Sequence, residues 1–173
     1  MDKKINFLLI LLTFALTACG QAEVEEPPVM VGEPFELYLI DDAEMAGTDL
    51  LNVDLEDLPL IEEPFLSTED IVSYMWGTHA INLTEEAYLK VVVIFSQGIP
   101  VTGTPFVIVS HGERIYAGAF WSLASSVSFD GVVIPQPFDP AGQPLYIMLG
   151  YPTPEFFTGE DPRGDPRLRQ ALE

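Results

Sequence analysis

The chain has 173 residues, of which 27 are acidic and 7 basic, giving a formal charge of −20. That sign excludes nucleic acid as a partner, because phosphate demands a basic footprint, and it disfavours adhesion to anionic lipid head groups. With 48% hydrophobic residues, the chain is no disordered acidic tail; a charged surface over a packed core is expected.

Lys3 and Lys4 precede an apolar run from Ile5 to Leu16, interrupted by Asn6 and Thr13. Leu16-Thr17-Ala18-Cys19 closes the run with small residues before the only cysteine. A charged start, an apolar centre and a small-residue cut site make a secretory signal peptide. The run falls short of the roughly 20 apolar residues that a membrane-spanning helix needs. These four residues resemble the lipobox of a bacterial prolipoprotein, with Leu16, Ala18 and Cys19 each on a lipobox position. The resemblance implies that Cys19 is diacylated and becomes the N-terminus after cleavage. It ties the protein to the extracytoplasmic side of a membrane, plasma or outer, by its acyl chains. An ordinary signal peptide with a chance cysteine is the competing reading. Each buried methylene contributes about 0.8 kcal/mol and a single acyl chain binds only reversibly, so two chains make a firm anchor. With Cys19 acylated, no cysteine remains for a disulfide, and the domain must be stable through its core alone.

Cleavage after residue 18 leaves 26 acidic and 5 basic residues, about −21 in formal charge. No lysine or arginine falls between Lys4 and Lys90, an interval with 18 acidic residues. Residues 19–34 are acidic and rich in proline and glycine, which reads as a tether. The remaining residues, 35–173, fit one domain. Its expected class is α+β: a small, mostly antiparallel sheet with one main helix over about 84–97 and a short C-terminal helix.

In chain order, "FELYLID" (35–41) is a strand with Phe35, Leu37 and Leu39 on one face and Tyr38 and Ile40 on the other. Residues 42–64 scatter leucines among carboxylates and read as a loop with a short helix. "STEDIVSYMW" opens a helix at Ser67 or Thr68, with acidic residues in its first turn. "HAINLT" (79–84) alternates as a strand does. "TEEAYLKVVVIFSQG" (84–98) carries a Thr84 cap, an acidic first turn and a terminal glycine, which favour a helix over the strand that Val91 to Ile94 would suit.

The sharpest local expectation is a hairpin over 105–121, with His111-Gly112 as a two-residue turn. This register pairs Ser110 with Glu113, Ile108 with Ile115 and Phe106 with Ala117, on a buried face that continues to Trp121. The opposite face pairs Val109 with Arg114 and Val107 with Tyr116. Val107, Val109 and Tyr116 are therefore the candidate interaction surface. Strands follow at 131–135 and 144–150, and Asp165-Pro166 starts the C-terminal helix.

The order "ELYLIDD…TDL…AINLTEEAY…TPFVIVSHGERIYAGAF" resembles the extracytoplasmic head region of SecD, the Sec-translocase accessory subunit, over residues 36–120. The resemblance implies a shared α+β module for protein contacts. The translocase's long transmembrane segments have no counterpart here, so its proton-coupled activity does not carry over.

Signs of chemistry are few. His79 and His111 lack a nucleophile motif and read as a strand-start residue and a turn residue. No catalytic residue, metal ligand or cofactor is assigned. "DLLNVDLED" (49–57) concentrates oxygen ligands but lacks the ligand spacing and turn glycine of a calcium loop, so solvated charge is the preferred reading. Arg163-Gly164-Asp165 lies between two prolines, and Asp165 already has a capping role. Asn82-Leu83-Thr84 matches a glycosylation sequon, which the bacterial lipobox makes inapplicable. The preferred function is a lipid-anchored binding or interaction module of the bacterial envelope with an envelope-protein partner. The alternative is an extracytoplasmic hydrolase whose residues form no linear motif.

Overall fold

The computed structural model describes residues 34–137 and 144–173. The expected signal peptide, Cys19 and all of the expected tether but Pro34 lie outside the described residues. The strands are β1 (Glu36–Leu39), β2 (Leu66–Ser67), β3 (Ile71–Met75), β4 (Ala80–Leu83), β5 (Thr104–Ser110), β6 (Glu113–Trp121), β7 (Phe129–Pro135), β8 (Leu145–Tyr146) and β9 (Met148–Tyr151). Helix α1 spans Glu85–Ser96 and α2 spans Pro166–Leu172. The fold is α+β. Six strands form a main sheet in the order β2-β1-β5-β6-β7-β9, and β3-β4-β8 form a second. All pairings are antiparallel except β6 with β7.

Helix α1 begins where the sequence marks it. The Thr84 hydroxyl accepts the Ala87 amide at 3.2 Å, which satisfies one of the first-turn donors. Ala87, Tyr88, Val91 and Phe95 make its buried stripe, and Gly98 follows the end with φ of +93°. This stripe overrides the β preference of Val91 to Ile94, because burial contributes more than local propensity costs.

The stripe packs on one face of the main sheet, against Phe35, Leu37, Phe106, Ile108, Tyr116 and Phe120, with Leu168 of α2 closing the same core. The other face is not open. Residues 43–60 fold into 3₁₀ turns, Gly47–Asn52 and Leu55–Asp57, and lay Leu50, Val53, Leu55 and Leu58 over Val107 and Val109. Arg114 fixes this cover by donating to the carbonyls of Leu58, at 2.8 Å, and Leu55. Leu50, Leu55 and Leu58 of the acidic interval thus form a lid over the sheet, while Leu51 stays exposed.

Three expectations are corrected. The hairpin turn is as expected, with His111 and Gly112 both at positive φ (51° and 80°), as a type I′ turn requires. However, an irregularity between Ile108 and Val109 leaves Ile115 unpaired, so Ile108 faces Tyr116 and Val107 faces Ala117. One extra residue reverses the parity of every residue beyond it. Tyr116 joins the helix-covered core, and Trp121 turns to the opposite face with Ala119, Phe129 and Val133.

The helix expected at Ser67 or Thr68 is a single 3₁₀ turn, Thr68–Asp70, followed by strand β3. The Ser67 amide donates to the Asp70 carboxylate at 3.0 Å. The Thr68 hydroxyl is held by the amide and carbonyl of Phe35 (2.9 and 3.2 Å), and the β-branched and aromatic residues beyond prefer an extended chain. Finally, the strand expected at 144–150 is broken at Ile147, so that β8 joins the second sheet and β9 the first. Ile147 is the joint: its amide donates to the His79 carbonyl at 2.8 Å and its carbonyl accepts from Arg163 at 2.6 Å.

Candidate functional site

The candidate interaction residues do not make a surface. Val107 is 0% exposed, Val109 4% and Tyr116 6%. Covering by residues 43–60 removes the two valines from solvent, and the irregularity in the hairpin removes Tyr116. A continuous hydrophobic run such as Phe106 to Val109 is what a strand buried on both faces looks like.

The concave feature of the right kind lies further along the same sheet face. Where the cover of residues 43–60 ends, β7 and β9 continue, and a pocket of about 280 Å³ opens between them, β8 and the loop after β6. Its floor is Val133 of β7 beside Met148 of β9, paired neighbours in the sheet. Leu123, Pro135, Tyr151 and Pro152 build the walls, and Gln136 and Tyr146 stand at the rim. Among the described residues, no charged side chain lines the pocket. Two other cavities carry carboxylates in their walls: Asp42 and Glu44 in one, Asp130 in the other.

The walls are held rigidly. Tyr151 leans on Trp121, which stacks on Phe129 at 5.0 Å between centroids and 12° between planes. The Tyr151 hydroxyl is directed at the carbonyls of Ser125 (3.1 Å) and Leu123 (3.3 Å), which ties the loop after β6 to β9. Gly103, at φ +80°, lets the Trp121 ring approach, since a Cβ there would come within 2.6 Å of it. Such preorganisation lowers the ordering cost of binding.

Position adds to the pocket's meaning. The described chain begins at Pro34, whose carbonyl accepts from the Ser110 hydroxyl at 2.7 Å, at the hairpin-turn end of the main sheet. The pocket residue Pro135 pairs with Trp121 at the far end of β6. The pocket thus opens at the pole opposite the N-terminal connection.

The electrostatics are one-sided. Lys90 pairs with Asp70, Arg163 with Asp161, Arg167 with Asp165 and Glu113, and Arg169 with Glu173. Arg169 also lies 4.8 Å over the Trp76 ring, and Arg114 is bound to the cover. Every cation among the described residues is therefore engaged, which leaves none free for an anion.

Neither histidine lines the three cavities. His79 holds φ of +48°, and its Nδ1 lies 2.8 Å from the Tyr74 hydroxyl. Burial pushes the Tyr74 phenol up to about 12 and pushes His79 below its ordinary value, helped by the Arg163 guanidinium. Burial likewise holds the Tyr116 phenol far above its usual range. Tyr74 and His79 thus sit beside the Arg163–Asp161 ion pair of the C-terminal segment. Among the described residues, no group of three or more His, Cys, Asp or Glu converges as a metal site. Asp49 instead accepts the Ala46 amide at 2.8 Å as a turn cap. Asp165 caps α2 by accepting the Arg167 amide at 2.8 Å.

Sequence reasoning missed Leu123, Val133, Tyr146, Met148 and Tyr151. The available signal was compositional: Pro135, Pro137, Pro144 and Pro152 crowd round Tyr146 and Tyr151. The chain matches no known family, no curated protein and no solved structure.

Proposed function

We propose that this chain is a lipid-anchored binding module on the extracytoplasmic side of a bacterial membrane, acting through the apolar pocket at its distal pole and not as an enzyme. The anchoring half rests on the lysines, apolar run and Leu16-Thr17-Ala18-Cys19 of the N-terminus. The binding half rests on one observation: a pocket whose described walls are mostly apolar opens at the end of the sheet opposite Pro34. A tethered domain with its site at that end offers the site to something other than its own anchor. The likeness of residues 36–120 to the SecD head region supports a role in contacts within the envelope, with an envelope protein as partner.

The anchor is tested by metabolic labelling with a tagged fatty acid and by fractionation. Labelled, membrane-bound protein is expected, and Cys19→Ser should lose the label and accumulate as uncleaved precursor. Labelling that persists in Cys19→Ser would refute the lipoprotein half of the reading.

A further inference from the structure

We infer that a second site, separate from the distal pocket, lies where β6 and β7 part, and that it takes a small organic cation. Its ammonium group is set against Asp130 and its short apolar body lies in the cleft. The two strands pair in parallel only from Gly118 opposite Val132 to Trp121 opposite Pro135. In the same register Ala117, Tyr116 and Ile115 would face Gly131, Asp130 and Phe129, yet no pairing forms there. Both strands are irregular at this point. Ile115 has no partner in β5, and the β7–β9 register shifts between Phe129 and Val132. The sheet therefore opens, and the facing edges keep backbone polar groups that have no partner in the other strand. All six of these residues line a cleft of about 350 Å³, within the ~300–1,000 Å³ range of small-molecule sites. Leu51 and Leu55 of the cover and Phe157 of the C-terminal segment complete its apolar walls. The cleft shares no lining residue with the distal pocket.

Charge selects the ligand. Among the described residues, Asp130 is the one charged residue lining the cleft. Its carboxylate is fixed by Thr158, whose amide donates to Oδ1 at 2.8 Å and whose hydroxyl donates to Oδ2 at 2.6 Å. Each oxygen keeps a lone pair for a further donor. The same bonds hold the Asp130 carboxyl below its ordinary value, so it is ionised at neutral pH. Among the described residues no lysine or arginine pairs with it. The arginines nearest the lining in sequence are turned elsewhere. Arg114 donates to the Leu55 and Leu58 carbonyls and lies 4.0 Å from Glu56, and Arg163 pairs with Asp161. Asp130 is thus an uncompensated charge beside apolar surface, in a chain of formal charge −20. That field draws an ammonium, which gains a charge-assisted hydrogen bond at the carboxylate. Its apolar body covers Leu51, which is 54% exposed.

Isoleucine-methyl NMR on the chain from residue 19, carrying Cys19→Ser so that no acyl chain competes, tests this with hexylammonium, 1-hexanol and hexanoate. Hexylammonium should shift the Ile115 methyl saturably and leave Ile81, in the core, in place. Hexanol should bind at least about fivefold more weakly, the scale of one contact between unit charges in water, and hexanoate more weakly still. Asp130→Asn, which keeps an oxygen for Thr158, should bring hexylammonium down to the level of hexanol. Leu51→Trp, at an exposed position of the wall, should block hexylammonium by filling the mouth.

Equal binding of hexylammonium and hexanol in the unaltered chain, or undiminished hexylammonium binding in Asp130→Asn, would overturn the cationic ligand class. No Ile115 response to hexylammonium would overturn the inference altogether. Neither result bears on the distal pocket, whose walls include none of these residues.

Discussion

Tyr151 rests against Trp121 with ring centroids 5.5 Å apart, so a residue at the centre of the second core cluster supports a wall of the pocket. Core and site are here one packing unit. Tyr151→Phe keeps the ring and loses the hydroxyl's bond to the loop after β6, and should cost about 1 kcal/mol. Tyr151→Ala should cost about 2 kcal/mol, less than the ~3–5 kcal/mol of a fully buried aromatic, and should also red-shift Trp121 emission by admitting water. Denaturant unfolding and fluorescence in a Trp76→Phe background read both.

The hairpin irregularity makes a separate prediction. With both faces of the main sheet buried, Tyr116→Ala and Ile108→Ala should each cost at least 2 kcal/mol, as truncations of large buried side chains do. Val107→Ala, on the opposite face, should also destabilise, by about 1–2 kcal/mol for the methyls removed. Wild-type stability in Val107→Ala would mean that the cover of residues 43–60 does not seal that face.

His79 sets a pH window. Its folded value lies below its ordinary 6.5, so the folded state holds fewer protons than the unfolded one. Its contribution is present above pH 6.5 and is lost as pH falls. Asp161 and Asp165 are lowered from 3.8 and act in a separate, more acidic window. The melting temperature should therefore decline from pH 7 to 5, and His79→Asn, which tolerates positive φ, should flatten that decline. An unchanged slope in the variant would remove His79 as its source.

Calcium should do little. Asp49 is already used as a turn cap, and no metal cluster converges among the described residues. Specific binding at a hundredfold excess over Kd would add about 2.7 kcal/mol. Millimolar calcium should shift the melting temperature slightly at most. A rise of many degrees, abolished by replacing Asp49, Asp54 and Asp57, would contradict this.

Much of the fold was legible because local signals and burial agree. Thr84, Glu85 and Gly98 bound α1 by capping chemistry, and His111-Gly112 fixes its turn through positive φ. What was not legible depends on long-range partners. The irregularity at Ile115 carries no residue signature, yet it decides which face Tyr116 and Trp121 take. Leucines 50, 55 and 58 lack a period because they cover the sheet from irregular turns. The strand break at Ile147 is imposed by His79 and Arg163, which are far apart in sequence. The pocket shares that origin: Leu123, Val133, Tyr146 and Tyr151 converge only through the β7–β9 pairing and the divergence of the two sheets.

The central claim is that the distal pole binds. A photo-reactive amino acid placed at Tyr146, on the pocket rim, should give a defined adduct in intact cells, visible as a discrete mass or band. The same group at Glu113, exposed at the hairpin-turn end of the sheet, should give none, and Leu123→Trp should suppress the adduct from position 146. Equal adducts from both positions, or an adduct at Glu113 alone, would contradict the account.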